Sequence, residues 1–282
     1  MKTGQSAMSG SSRRKRKKKT MAQRADRHDL YQKSVQDVAA EYSFVSKRFR
    51  KLRGRRAARM REDFCGTANM CCEWVRRNRK NTAIGVDIDA AVLDWGRKHN
   101  LSRLTKEARG RVTLLQEDVR SVQAAPVDTV LAMNFSYQLF RERTTLKEYF
   151  QAVRDSLVDD GVFFLDAYGG YEAYSVIREK RKYKGFKYIW DQASYNPING
   201  GMVCHIHFSF PDGSRLRKAF SYDWRLWTLP ELRELLEEAG FANVIIYWEG
   251  VDEETGEGTG VYEPATVGDP DPGWICFISA EK

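Results

Sequence analysis

Apolar and polar positions along this chain follow two periods, and the period in force changes from segment to segment. Residues 28–54 carry Leu30, Val35, Val38, Ala39, Phe44, Val45 and Phe49 on one approximate helical face, which predicts helix. Short apolar runs and amphipathic stretches then take turns. A short strand ends near Phe64, a helix follows over about 69–79, and a strand covers 83–87. A helix over 90–99, a strand over 112–116, a strand over 129–133 and a helix over about 145–156 come next. The turn Asp159-Asp160-Gly161 leads into a strand over 162–166. Alternating units of this kind predict an α/β fold, a doubly wound and mostly parallel seven-stranded sheet.

The pattern changes after Tyr168-Gly169-Gly170. Three extended runs, 186–195, 202–210 and 215–227, are separated by Asn196-Pro197, Gly200-Gly201 and Pro211-Asp212-Gly213. They predict an antiparallel β insertion within 168–227, after the fifth strand. A helix over 230–239 stops at Gly240, a residue suited to the left-handed cap. Runs 244–248 and 274–279 are expected to close the sheet as an antiparallel pair. Between them, residues 249–272 hold eight acids and no Lys or Arg, and are expected to form a loop.

Composition narrows the picture. The chain has 282 residues, 42% of them hydrophobic, enough for one large domain over 28–282. No apolar run reaches the length of a membrane span, and the N-terminus is too basic for a secretory signal, so a cytoplasmic protein is expected. The five cysteines form no Cys-x-x-Cys pair and are read as reduced core thiols. The formal net charge is +9, and residues 1–27 alone hold ten Lys/Arg against Asp26. The basicity therefore belongs to a tail, expected to be disordered, and not to the folded body. Its run Arg13–Lys19 suits a nuclear address or contact with a polyanion such as nucleic acid. No oligomeric state follows from the sequence.

The chemistry concentrates in residues 62–89. A tight loop around Gly66 precedes an amphipathic segment, and a second strand ends in Asp87, 21 residues after Gly66. This is the layout of a nucleotide-binding βαβ unit, in which an ionised carboxylate accepts both ribose O–H donors. The loop Glu62-Asp-Phe-Cys65-Gly66-Thr67-Ala68 resembles motif I of the class I S-adenosylmethionine (SAM)-dependent methyltransferases, which often reads Asp-x-x-Cys-Gly-Thr-Gly. Phe64 and Ala68 depart from its first and last glycines. Gly85-Val86-Asp87, Leu115–Val119, Asp128–Asn134 and Leu157–Asp166 resemble the later motifs in order, over roughly residues 55–170. The C-terminal segments 227–248 and 274–280 resemble the closing elements.

The resemblance implies SAM as cofactor. It implies that Glu62, Cys65, Gly66 and Thr67 line the methionine part. Asp87 would take the ribose, Ile88 would pack on adenine, Asp118 and Val119 would meet its edge, and Asn134 would face the methyl group. Asn134-Phe-Ser-Tyr137 is a distant echo of the Asn-Pro-Pro-Tyr motif of nucleobase amino-methyltransferases. It also resembles a turn in the glycine N-methyltransferase group of small-molecule enzymes. Asn134 and Tyr137 are thereby candidate catalytic residues. His205 and His207 share a strand face without a third metal ligand, so no metal is expected and His207 is a candidate base. Tyr168, Trp190 and Tyr195 are candidate substrate residues, because aromatic faces attract amines and cations; Asp166 lies beside them. The expected activity is methyl transfer to an N or O acceptor on a small molecule. An RNA or protein methyltransferase guided by the tail, an NAD-dependent oxidoreductase and a non-catalytic SAM-binding module stay open.

Overall fold

A strand that alternates sides needs cover on both, and the main sheet receives it from two layers of helix. The computed structural model describes residues 18–282. Its parallel part is built from β1 (Arg59–Asp63), β2 (Thr82–Val86), β3 (Val112–Leu115), β4 (Val127–Ala132) and β5 (Leu157–Gly169). Their spatial order is β5-β4-β1-β2-β3. Beyond β5, β12 (Trp274–Glu281) pairs antiparallel, then β10 (Ala242–Val251), then β11 (Gly258–Pro264). The sheet thus has eight strands, one more than the pattern predicts. The extra strand, β11, forms inside the expected acidic loop.

Period-two alternation assigns β5 to both cores. Phe163, Leu165 and Ala167 face the helices α7 (Arg143–Asp155) and α8 (Leu229–Glu238). Val162 and Phe164 face α3 (Val38–Arg53) and α4 (Asn69–Arg77), with α5 (Ala90–His99) and the short α6 (Lys106–Arg109) in the same layer. β1 is the anomaly. It reads Arg-Met-Arg-Glu-Asp, yet its last four residues are buried. Arg61 and Asp63 neutralise one another at 2.8 Å, and the Tyr149 hydroxyl donates to Asp63 at 2.9 Å.

The predicted helix over 28–54 is two helices. α2 (Arg27–Ser34) ends, the chain bends, and Asp37 caps α3 by accepting from the Ala40 N–H at 3.0 Å. The short α1 (Met21–Arg24) carries a capping box at Thr20. Its backbone is held by Asp212 and Ser214 at 2.7 and 3.0 Å. The expected disordered tail therefore does not extend through residues 20–27. Its first 17 residues, with most of the Arg13–Lys19 run, lie outside the described residues.

The insertion is a separate antiparallel sheet of four strands, in the order β6 (Arg178–Tyr183), β7 (Phe186–Asn196), β8 (Gly201–Ser209) and β9 (Arg215–Arg225). β6 escapes the pattern because it reads Arg-Glu-Lys-Arg-Lys-Tyr, the charged composition of an exposed edge strand. One face of the sheet receives Leu30 of α2 against Phe186, Ile206 and Phe208. The acidic segment is tied down by buried Arg48 of α3, which reaches Glu263 on β11 at 3.0 Å. All five cysteines are buried free thiols.

Candidate functional site

The loop between β1 and α4 turns on three left-handed residues: Phe64 (φ 56°), Gly66 (φ 51°) and Ala68 (φ 56°). Phe64 and Ala68 stand where the motif has glycines, so the glycine conformation is kept without the glycine. The Gly66 N–H donates to Asp87 Oδ2 at 2.7 Å, and the Asp89 N–H donates to Asp87 Oδ1 at 2.9 Å. Asp87 is thereby fixed beside the loop, at the carboxyl end of β2. A Cβ at Gly66 would meet nothing within 4 Å, so open space lies above the loop at the point of closest backbone approach.

Neighbouring elements brace this loop. The Asn100 side chain donates to the Thr67 carbonyl at 2.9 Å, and Gln32 of α2 donates to the Thr67 hydroxyl at 2.6 Å. Gly96 on α5 lets that helix approach: a Cβ there would lie 2.5 Å from the Thr67 carbonyl oxygen. Glu62 points to the start of α4, where it accepts from the Cys71 N–H at 3.1 Å and thiol at 3.0 Å. Burial, reinforced by the Asp87 and Asp63 charges, pushes the Glu62 carboxyl up to about 7. The Cys65 thiol is buried and raised chiefly by burial. Ile88 is 71% exposed at the end of β2, a bare apolar surface beside Asp87. Asp118 pairs with Arg120 at 2.6 Å, which holds its carboxyl below the usual range. The Val119 side chain is in the core, leaving only its backbone to face a ligand.

After β4 the backbone turns through two further left-handed residues, Asn134 (φ 59°) and Phe135 (φ 58°). Both N–H groups donate to the Asp166 carboxylate, at 2.8 and 2.9 Å. Burial outweighs these bonds and pushes Asp166 up to about 7. Asn134 and Asp166 open onto a cavity of about 900 Å³. Its other walls are the α2–α3 bend, with Tyr31 and Glu41, one face of the insertion, with Trp190 and Trp224, and the β10–β12 edge, with Glu249, Tyr262 and Trp274. Tyr168 lines it as well and donates to Met202 Sδ at 2.9 Å. Gly66 and Asp87 do not line this cavity. They lie at the ends of β1 and β2, and β1 is the direct neighbour of β4, which delivers Asn134.

The structure brings together Asn134, Tyr168 and Trp190, and leaves three expected residues aside. Tyr137 is wholly buried, and its hydroxyl donates to the Asp166 carbonyl at 2.9 Å, so it is a core residue beneath the turn and not a catalytic one. His207 is on the opposite face of β8 from Ile206, which lines the cavity. There it contacts Asp191 at 3.0 Å and accepts from the Lys218 N–H, so it cannot serve as the base. Tyr195 does not line the cavity, and packs edge-on against Tyr174 at 5.3 Å. Sequence reasoning missed Tyr31 and Glu41, which look like ordinary positions of an N-terminal helix. Among the described residues no group of three His, Cys, Asp or Glu side chains is placed to hold a metal ion, and no helix is long and apolar enough to cross a membrane.

The chain has the class I SAM-dependent methyltransferase fold. It resembles a SAM-dependent methyltransferase from Clostridium acetobutylicum ATCC 824, with a TM-score of 0.66 at 15% identity, over 90% of this chain and 96% of that one. The SAM-bound amino pentose methyltransferase from Micromonospora echinaspora gives a TM-score of 0.63 at 17% identity, over 90% and 95%. The sugar N-methyltransferase from Streptoalloteichus sp ATCC 53650 gives 0.60 at 17% identity, over 100% and 98%. No family model and no curated protein matches the chain.

Proposed function

We propose that this protein is an enzyme that transfers a methyl group from SAM to an acceptor nitrogen or oxygen on a small molecule. The observation that carries the reading is Asp87, held by the Gly66 N–H at 2.7 Å beneath open space, one strand from a deep cavity. The residues present fit SAM. Asp87 would accept the ribose hydroxyls, Ile88 would cover one adenine face, and Asp118 with the Val119 backbone would meet the adenine edge. Gly66 and its neighbours would border the methionine part.

Bound SAM supplies a methyl group already activated on a sulfonium, so the chain's residues need only bind, orient and exclude water. Asp166 fixes the Asn134–Phe135 turn, which aims Asn134 into the cavity. The aromatic face of the insertion covers that cavity and would orient the acceptor. The amino pentose and sugar N-methyltransferases among the similar folds support a small acceptor. The antiparallel β12 beside β5 weighs against the NAD alternative, whose dinucleotide-binding sheet is mostly parallel.

Asp87→Ala is expected to weaken SAM binding by more than about tenfold, the scale of one lost charge-assisted hydrogen bond. Calorimetric titration with SAM, on protein whose circular dichroism is unchanged, makes the measurement. Unchanged affinity in the folded variant would remove the cofactor assignment and the function with it.

A further inference from the structure

The cavity walls carry a chemistry that the cofactor does not need. Glu41 sits in the first turn of α3 and lines the cavity. It forms no ion pair among the described residues, and its carboxyl has a backbone hydrogen bond from Asp37. Asp166, across the cavity on β5, also forms no ion pair. Aromatic rings line part of the wall: Tyr31 from α2, Trp190 from β7, Tyr222 and Trp224 from β9. Tyr222 and Trp224 stack at 4.4 Å between centroids. The cations that border the cavity are spent or outside. Arg48 is engaged by Glu263, while Lys47 and Arg181 are exposed at its edge.

We infer that Glu41 selects the acceptor: it pairs with a cationic amine seated among Tyr31, Trp190, Tyr222 and Trp224, and takes the proton that the amine must lose. The inference rests on the methyltransferase reading and names the acceptor class of that site. Its physical basis is twofold. Ring faces attract an ammonium through their quadrupole, and a carboxyl with no ionic partner gains one when the ammonium arrives.

The state of Glu41 without a ligand agrees. Burial, then the Asp166, Glu62 and Asp37 charges, push its carboxyl up to about 8. Tyr31, a further titratable neighbour, is itself raised chiefly by burial, and Tyr168, Tyr222 and Glu249 line the same cavity. Near neutral pH Glu41 is therefore largely protonated until a cation enters, and binding an ammonium ejects that proton to solvent. Within the complex, the bound R–NH3+ gives one proton to the Glu41 carboxylate and becomes R–NH2. The freed lone pair forms the N–CH3 bond as the S–CH3 bond breaks, its electrons remaining on sulfur. The product leaves as a methylammonium, and Glu41 returns its proton to water.

Benzylamine and benzyl alcohol probe the site, being similar in shape and different in charge. Titration followed by tryptophan fluorescence, with S-adenosylhomocysteine present, compares wild type with Glu41→Gln. Wild type is expected to favour benzylamine by about tenfold, the scale of one cation–π and charge contact. Calorimetry at pH 7 in two buffers of different ionisation enthalpy should register proton release on binding. Glu41→Gln should abolish both the preference and the proton release, while S-adenosylhomocysteine binds within about twofold of wild type. Equal affinity for the two probes, no benzylamine binding, or a preference that survives in Glu41→Gln overturns the inference. Failure of wild type to bind S-adenosylhomocysteine overturns the methyltransferase reading instead.

Discussion

Two polar side chains meet at the turn after β4, Tyr137 from the turn itself and Asp166 from β5, and they have opposite roles. Asp166 faces the cavity through its carboxylate and holds the Asn134 and Phe135 N–H groups. Tyr137, three residues past Asn134, faces inward and has no path to a ligand. Tyr137→Phe removes one neutral hydrogen bond to the Asp166 carbonyl. It is expected to cost about 1 kcal/mol of stability in urea unfolding and to leave turnover per folded molecule unchanged. A large loss of turnover at unchanged stability would return Tyr137 to the chemistry. The motif I loop follows similar logic. Phe64 and Ala68 look like departures from a glycine pattern, yet both adopt positive φ. Identity at those positions understates the likeness, because the surrounding backbone imposes the conformation that glycine would adopt more easily.

At the scale of elements, the insertion and the α2–α3 bend wall the cavity together with the edge formed by β10, β11 and β12. β7 shifts register between Gln192 and Ser194. That extra residue returns Tyr195 to the Trp190 side of the sheet, within the same cluster of apolar side chains, but beyond the cavity at its Tyr174 end. Trp190 therefore lines the cavity, while Tyr195 packs against Tyr174. Trp190→Ala is expected to raise the acceptor KM by about tenfold or more while SAM affinity changes less than about twofold. Tyr195→Ala should leave both nearly as they are. Normal KM in Trp190→Ala, with a lowered melting temperature, would make that ring a packing residue and refute the insertion's part in orienting the acceptor. The bend between α2 and α3 has a cause that the residues show only in hindsight. Asp37 caps α3 and so ends continuity with α2, which lets Gln32 and Gln36 reach Thr67 and Asn69 at 2.6 and 3.1 Å.

At the scale of the whole molecule, buried carboxyls link stability to pH. Glu41 is pushed up to about 8, Glu62 and Asp166 to about 7, each chiefly by burial. Each keeps a proton in the folded chain that the unfolded chain has already lost. Their cost to stability is absent below the ordinary carboxylate range and complete above about pH 8. His28 and His205 are lowered by burial and oppose this trend, but only up to their ordinary value of 6.5. The melting temperature of the ligand-free protein is therefore expected to fall from pH 7 to 8.5, and to fall less in Glu41→Gln. Scanning calorimetry at low salt tests this. A flat or rising melting temperature over that interval would mean that Glu41 is solvated.

The residue pattern by itself determined the alternating strands and helices, the 21-residue step from Gly66 to Asp87 and the antiparallel insertion. Those features are local: side-chain period, turn residues and caps act over a few positions. Tertiary structure alone decided the rest. β1, expected as a strand, is charged and yet buried, and charged β6, which the pattern does not show, is a strand because β7 pairs with it. Arg61 and Asp63 neutralise one another inside the core, whereas β6 remains at an exposed edge. Asp29 and Glu41 both stand in first turns of helices, yet Asp29 pairs with Lys33 in solvent while Glu41 lines the cavity. His207 and Ile206 are adjacent in sequence and look to opposite sides of β8. Which side holds a cavity depends on what packs there, and burial, charge state and access are set by those distant neighbours.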